Sequence, residues 1–221
     1  MGKALGWIDS HCHLTCADLI GEAQDVRQRA LDAGVARMMI VCCRLEEAEA
    51  ALKMKAEDAR FDVAVGFHPS DLRDFTEEDW HKLETLVYNE NVTAVGEIGL
   101  DYYWDKDNHP QQQAAFIRQI ELANRVNKPI LVHSRDAIND TLTLLREHPA
   151  ARRGIIHCFS SSREMAREFV KLGYTIGLGG PVTFKNAKTP KEVAADVDLA
   201  HLQIETDCPY LTPVPYRGKR N

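Results

Sequence analysis

No apolar stretch in this sequence is long enough to span a bilayer, which excludes a transmembrane helix. Positive charge is not in excess either. Lys and Arg number 27 against 33 Asp and Glu, a net charge of -6 at pH 7. Coating a nucleic acid requires a basic face, so that class is excluded, whereas contact with one or two phosphates inside a pocket is not. Internal repeats, low-complexity segments and interdomain linkers are lacking, and the expectation is one domain over residues 1–221. A glycine-rich phosphate loop after the first apolar run is also lacking, which argues against an open dinucleotide-binding sheet. The opening Met1-Gly2-Lys3-Ala4-Leu5-Gly6 leads straight into a strand pattern rather than forming a signal peptide. Gly6 stands where a myristoylation signal would have Ser or Thr. Without export features, the 6 cysteines read as reduced thiols. Cys12 and Cys16 lack the second Cys/His pair that a structural zinc site requires.

Apolar, β-branched runs alternate with stretches of helical period. The expected strands are Leu5–Asp9, Ala36–Cys42, Phe61–Gly66, Val92–Glu97, Pro129–His133, Gly154–His157, Tyr174–Gly177 and Leu202–Glu205. The expected helices are Gly21–Ala33, Leu45–Ala59, Glu77–Tyr88, Pro110–Val126, Asp136–Glu147, Ser162–Leu172 and Lys188–Asp196. Thr76 with Glu78 and Asp79 marks a helix start, Pro110 fits a first helical position, and Gly34 and Gly173 fit helix stops. Near-continuous apolar runs such as Met38-Met39-Ile40-Val41 are the mark of buried parallel strands. Strands separated by helices predict an α/β fold, a TIM (β/α)8 barrel. After the last strand only a Pro-rich tail remains, so the final C-terminal helix is expected to be missing from this chain. The uncovered strand would then expose apolar surface. The basic residues Arg217, Lys219 and Arg220 read as a solvated tail.

Ligand-type residues collect at strand exits. Strand residues two apart share a face, so His11 and His13 can reach one metal ion. Glu97, His133, His157 and Asp207 end other apolar runs, and barrel strand ends converge on one mouth. Four histidines and two carboxylates suit two divalent cations (zinc, manganese or magnesium) when one carboxylate bridges them. The assignment is His11, His13 and Asp207 on one ion, His133 and His157 on the other, and Glu97 between. Ions held ~3.5–4 Å apart lower the pKa of a shared water and clamp the attacking and leaving oxygens, which favours phosphodiester hydrolysis. Asp207 is expected to take the proton, with Glu97 also catalytic. His68 and Arg135 are the expected substrate contacts, Arg135 having a structural ion pair as its rival role. Asp9 is expected to orient a ligand histidine, and Glu205 to lie one layer deeper. Tyr102, Tyr103 and Trp104 could stack on a base or cap the barrel. His81, His109, His148 and His201 read as solvated.

In this order the segments Asp9-Ser-His-Cys-His-Leu14, Gly66-Phe-His-Pro69, Gly96-Glu-Ile-Gly-Leu-Asp-Tyr102, Lys128-Pro-Ile-Leu-Val-His-Ser-Arg135, His157-Cys-Phe159 and Glu205-Thr-Asp-Cys-Pro-Tyr-Leu211 resemble the TatD family of metal-dependent hydrolases. The similarity runs nearly end to end. It implies a TIM barrel of the amidohydrolase superfamily and a cytoplasmic, divalent-metal-dependent deoxyribonuclease, a 3′→5′ exonuclease on single-stranded ends. The expected partner is a DNA end or a small phosphodiester, with no membrane; the sequence leaves the oligomeric state open, with a monomer favoured. Cys208 departs from the family, whose members often carry Ser there, and members usually continue for another helix or two. One rival reading is an amidohydrolase or esterase acting on a carbonyl substrate such as an aminoacyl-tRNA. Relatives with a modified bridging lysine need Lys at a strand end, whereas Lys128 precedes its strand and Glu97 fills the bridge. A non-catalytic scaffold would predict a broken ligand set, and this one is whole.

Overall fold

Each apolar run becomes a strand and each amphipathic stretch a helix in the computed structural model, which describes residues 6–221. Leu5, at the start of the expected first strand, and the N-terminal segment read for leader and lipid signals lie outside the described residues. The strands are β1 (Trp7–Cys12), β2 (Val35–Cys42), β3 (Phe61–Val65), β4 (Ala94–Asp101), β5 (Ile130–Arg135), β6 (Gly154–Ile156), β7 (Thr175–Leu178) and β8 (Leu202–Ile204). The helices are α1 (Ala23–Asp32), α2 (Leu45–Glu57), α3 (Glu77–Tyr88), α4 (His109–Arg125), α5 (Ile138–Glu147), α6 (Arg163–Lys171) and α7 (Lys188–Asp196). The strands pair in sequence order, all parallel, with helices between them, so the sheet curls into a nearly closed barrel. No helix among the described residues is long and apolar enough to cross a membrane.

Local signals act as their chemistry requires. Thr76 and Asp79 form a reciprocal capping box at the start of α3, Pro110 sits in the first turn of α4, and Gly34 and Gly173 turn the chain at positive φ after α1 and α6. α5 begins two residues later than expected, after Asp136 takes a left-handed conformation. β4 and β5 run past their expected ends at Glu97 and His133, because the ladder continues through Leu100↔Ser134 and Asp101↔Arg135. Gly99 permits this: at its positive φ, an added Cβ would run into the His133 carbonyl.

Alternation divides the side chains into two layers. Outward-facing residues such as Ile40, Val63, Val95, Ile98 and Val132 join the main core under the helices. Val41, Ala64, Ala94 and Leu131, with Met39 and Ile155, form a separate cluster and fill the lumen. The seam between β8 and β1 is built differently. No ladder joins these two strands, and the seam is tied from the last residue of β8 and the segment just after it. Asp207 N donates to His11 O (2.9 Å), His13 N to Cys208 O (2.8 Å) and Ser10 Oγ to Ile204 O (3.0 Å). No helix follows β8 among the described residues, and Ile8 and Ile204 are 52% and 49% exposed. The tail is less free than expected: Arg220 pairs with Glu22 (2.6 Å), Arg217 lies over Phe184 (4.2 Å), and Asn221 Nδ2 donates to Thr206 O and Tyr210 O (both 2.8 Å).

Candidate metal centre

The lumen pattern places the histidines. His133 follows Leu131 by two residues and His157 follows Ile155 by two, so both rise one layer above the apolar lumen cluster. Glu97 reaches the same layer by another route. It shares parity with Val95, whose side chain packs outward, but the register of β4 shifts between Val95 and Ile98. That irregularity brings Glu97 inside, a common way of re-aiming a side chain beside a site. Asp207 adopts a left-handed φ of 55° just after β8, where its main chain is tied to His11. His13, Glu97, His157 and Asp207 are buried in the lining of a cavity of about 780 Å³ whose wall also includes His68, His133 and Arg135, and the buried His11 touches Glu97, His13 and His157 from behind it. All six expected ligand residues therefore meet at one place.

The two oxygens of Glu97 divide the histidines. Oε2 lies 3.3 Å from His11 Nε2 and 3.9 Å from His13 Nε2. Oε1 lies 2.8 Å from His133 Nδ1, 3.6 Å from His157 Nε2 and 3.9 Å from His68 Nε2. Asp207 Oδ1 approaches His13 Nε2 at 3.3 Å, His157 Nε2 at 3.8 Å and His11 Nε2 at 3.9 Å. The His11 and His157 rings stack at 3.5 Å, so the two halves of the cluster touch.

Partners behind the cluster set the ring orientations. His13 Nδ1 lies 3.1 Å from the Val41 carbonyl, which can only accept, so Nδ1 carries a proton and Nε2 is the nitrogen turned to the cluster. His157 Nδ1 faces Glu205 Oε2 at 3.1 Å. Glu205 Oε1 also accepts from Cys158 N (2.7 Å), so this carboxylate does sit one layer deeper. His133 has a carboxylate at each nitrogen, Glu97 at Nδ1 and Asp101 Oδ2 at Nε2 (3.0 Å). Asp9 differs from expectation because it reaches no imidazole. Its oxygens accept from His11 N (3.2 Å), Thr206 N (2.9 Å) and Thr206 Oγ1 (2.6 Å), which fastens β1 to the segment after β8.

Charge follows from these contacts. Burial opposes ionisation of Glu97, yet His157 and His11 hold its carboxyl well below the usual carboxylate range. Asp207, likewise opposed by burial, is held low by His13. Burial also opposes protonation of His157, but Glu205 and Glu97 push it up to about 10. Burial lowers His68 to about 3, so its ring is neutral. Cys43 and Cys158 beside the cluster are pushed well up by burial, and protonated thiols offer no anionic ligand. All 6 cysteines are free.

Two glutamines on α4 brace this wall. Gln112 accepts from Asp101 N (2.7 Å) and donates to Asp101 O (2.9 Å) and Asp105 O (3.1 Å). Gln119 accepts from Phe67 N (2.8 Å) and donates to Phe67 O (3.2 Å), next to His68. Both are fully buried, and each amide stands in for a peptide unit. The sequence does not distinguish either glutamine from an ordinary helix residue, and it gives Asp101 no role of its own, because their partners are set by the fold.

The remaining expected residues separate into groups. His68 Nδ1 caps a 3-10 turn by accepting from Ser70 N (3.2 Å), so in the neutral ring Nε2 bears the proton and points at the cluster. Arg135 is not in the ion pair considered for it. Its guanidinium lies over Tyr103 (4.0 Å) and near Trp104 (5.3 Å) at the cavity lip. Trp104 is 67% exposed and Tyr103 42%, so neither seals the barrel. Tyr102 turns away and donates to Asp140 Oδ2 (2.8 Å). His109 is not solvated: its ring stacks on Tyr102 at 3.5 Å and its Nε2 is buried. His81 is exposed, and His148 and His201 are half-buried.

The donor set fits divalent ions. His11 Nε2 and His13 Nε2 lie 3.2 Å apart, a close match to the spacing of two nitrogens that share one ion at ~2.0–2.1 Å each. His11 Nδ1 has no partner, and two acidic side chains are buried beside four imidazoles. His11 with His13 and Glu97, His11 with His157 and Asp207, and His68 with Glu97 and His133 each bring three ligand atoms within 4.8 Å of one another. The comparisons with known proteins agree. Residues 8–221 match the family model described as TatD related DNase. The chain is 45% identical over 214 residues to the metal-dependent hydrolase YabD of Bacillus subtilis (strain 168), covering 96% of this chain and 84% of that one. It is 38% identical over 218 residues to the metal-dependent hydrolase YcfH of Escherichia coli (strain K12), covering 97% and 82%. The crystal structure of YjjV, a TatD homologue from Escherichia coli K12, superposes with a TM-score of 0.93 at 33% identity, covering 97% of this chain and 84% of that one.

Proposed function

The chain belongs to the TatD-related family of metal-dependent hydrolases, and from that premise we propose that it is a deoxyribonuclease that removes nucleotides 3′→5′ from single-stranded DNA ends. The observation that carries this reading is the division of the histidines between the two oxygens of one buried carboxylate, as a pair of cations sharing a bridge requires. His11, His13 and Asp207 would hold one ion, His133 and His157 the other, and Glu97 both. When bound, such ions supply Lewis acidity and lower the pKa of water toward neutrality.

The chain's own groups do the rest. Asp207, buried with Oδ1 turned toward His11, His13 and His157, is the acceptor for the proton of the attacking water. His68 offers a neutral Nε2–H donor to a non-bridging phosphate oxygen, held in that tautomer by Ser70 N. Arg135 presents a guanidinium fork to a phosphate, with Tyr103 and Trp104 fixing its plane. Trp104 also offers an exposed face to a base. Glu97 is 3% exposed at the foot of the cavity, a depth that suits an unpaired terminus better than a continuous duplex. The reading extends to a cytoplasmic monomer whose partner is a DNA end or a small phosphodiester.

The test is turnover of a labelled single-stranded oligonucleotide, with free or blocked 3′ ends, against duplex DNA and a panel of phosphate and carboxylic esters, in Mn²⁺, Zn²⁺ and Mg²⁺. Metal-dependent stepwise release from free 3′ ends is expected. Faster cleavage of a carboxylic ester, or equal cleavage of blocked ends, overturns the reading.

A further inference from the structure

Asp101 is 1% exposed and its two oxygens face opposite ways. Oδ2 lies 3.0 Å from His133 Nε2, inside the cluster. Oδ1 accepts from Tyr103 N (3.0 Å) and Trp104 N (2.8 Å), which shapes the turn at the cavity lip. Its main chain is gripped in both directions by Gln112, which also holds Asp105 O. Two residues beyond His133 on β5, Arg135 lies over the same Tyr103. One buried carboxylate therefore joins a histidine at the base of the cavity to the aromatic and cationic groups at its mouth.

We propose that Asp101 is a positioning residue that couples cation binding on the Oε1 side of Glu97 to the placement of the Tyr103–Trp104–Arg135 lip. This rests on the two-ion reading above. A histidine that ligates through one nitrogen leaves its other N–H needing an acceptor, and an acceptor there fixes the ring and raises its basicity. His133 turns Nδ1 toward Glu97, so Asp101 is the acceptor for Nε2–H. An ionised carboxylate has lone pairs for all three donors. Any tilt of the His133 ring is passed through the carboxylate to the two amides that carry Tyr103 and Trp104. The lip is thereby set when the base of the cavity is filled.

Asp101→Asn separates the two tasks, because an amide has a single oxygen and can serve His133 or the two lip amides but not both. The probe is Mn²⁺ alone, titrated calorimetrically into metal-stripped protein. A second readout is Trp104 fluorescence in a Trp7→Phe, Trp80→Phe background. Wild type is expected to take up two equivalents, with a Trp104 spectral change that tracks the second. Asp101→Asn should keep the first equivalent, bind the second about tenfold more weakly or worse, and lose the coupled Trp104 response. Asp101→Glu keeps the charge but moves both oxygens by one methylene. It serves the same comparison if the amide variant fails to fold, with change expected in the same direction. A wild type that takes up only one equivalent overturns the two-ion reading. A wild type that takes up two, alongside variants with unchanged second affinity and an intact Trp104 response, overturns the role of Asp101 alone.

Discussion

On the Oε2 side of Glu97, both histidines leave one strand, and the behind-the-ring partner seen there is a main-chain carbonyl, that of Val41. On the Oε1 side, His133 and His157 come from separate strands and are backed by the carboxylates of Asp101 and Glu205. A carbonyl cannot change its charge and moves only with its sheet. A carboxylate must itself be placed, and it keeps the imidazole it faces protonated until a metal replaces the proton. The Oε2 side is thus supported by main chain already in place, and the Oε1 side by charged groups that respond to pH and to substitution.

The comparison breaks most completely at the residue shared by both sides. Glu97→Ala is expected to reduce oligonucleotide turnover by about a thousandfold, the scale of losing a preorganised charge-stabilising group. Bound metal, measured by elemental analysis, should fall on both sides, and full retained activity would refute the bridging role. Next in size is the response to pH. His157 is raised to about 10 in the folded protein against an ordinary value of 6.5. A raised imidazole contributes stability that is complete below the unfolded value and is lost as pH climbs through the folded one. The melting temperature of the chelated protein should therefore fall between about pH 6.5 and 10, through this group. The rise in melting temperature on adding Mn²⁺ should grow over the same window, because metal and proton compete for the same nitrogens. Calorimetric scans with and without the ion check both signs. The smallest effect belongs to the lip: Arg135→Ala should raise KM for oligonucleotides by about three- to tenfold with kcat little changed, as removal of uniform binding does. Loss of metal in that variant would make Arg135 structural.

How much of this was legible follows the same division. His11 and His13 could be read from spacing alone, since strand geometry points residues two apart the same way. His133 and His157 could be read as the residues that end apolar runs, although β5 continues beyond His133. Glu97 reads from sequence as a strand-end residue, yet it lies inside β4 and reaches the lumen only through a shift in register that no alternation rule reveals. The supports were less visible. Glu205 precedes Asp207 by two, and that spacing alone places it one layer deeper, where it meets His157 and Cys158 N. The sequence suggests that Asp9 holds an imidazole, but Thr206 offers it two donors across the seam, nearly two hundred residues away in sequence. Asp101 lies in a segment that carries the family resemblance, but its partner His133 is fixed by tertiary contact, and nothing in the local sequence of Gln112 or Gln119 distinguishes them from solvated residues.

The two amides of α4 make that helix a bracket. Gln112 grips the main chain at Asp101, and Gln119, two turns later, grips it at Phe67 beside His68. A helix slides or rolls as one body, so any change in how α4 seats on the barrel shifts both attachment points together. Substitutions on its outward surface, remote from any reacting atom, then become a way to shift one side of the reaction chamber without altering a single group inside it.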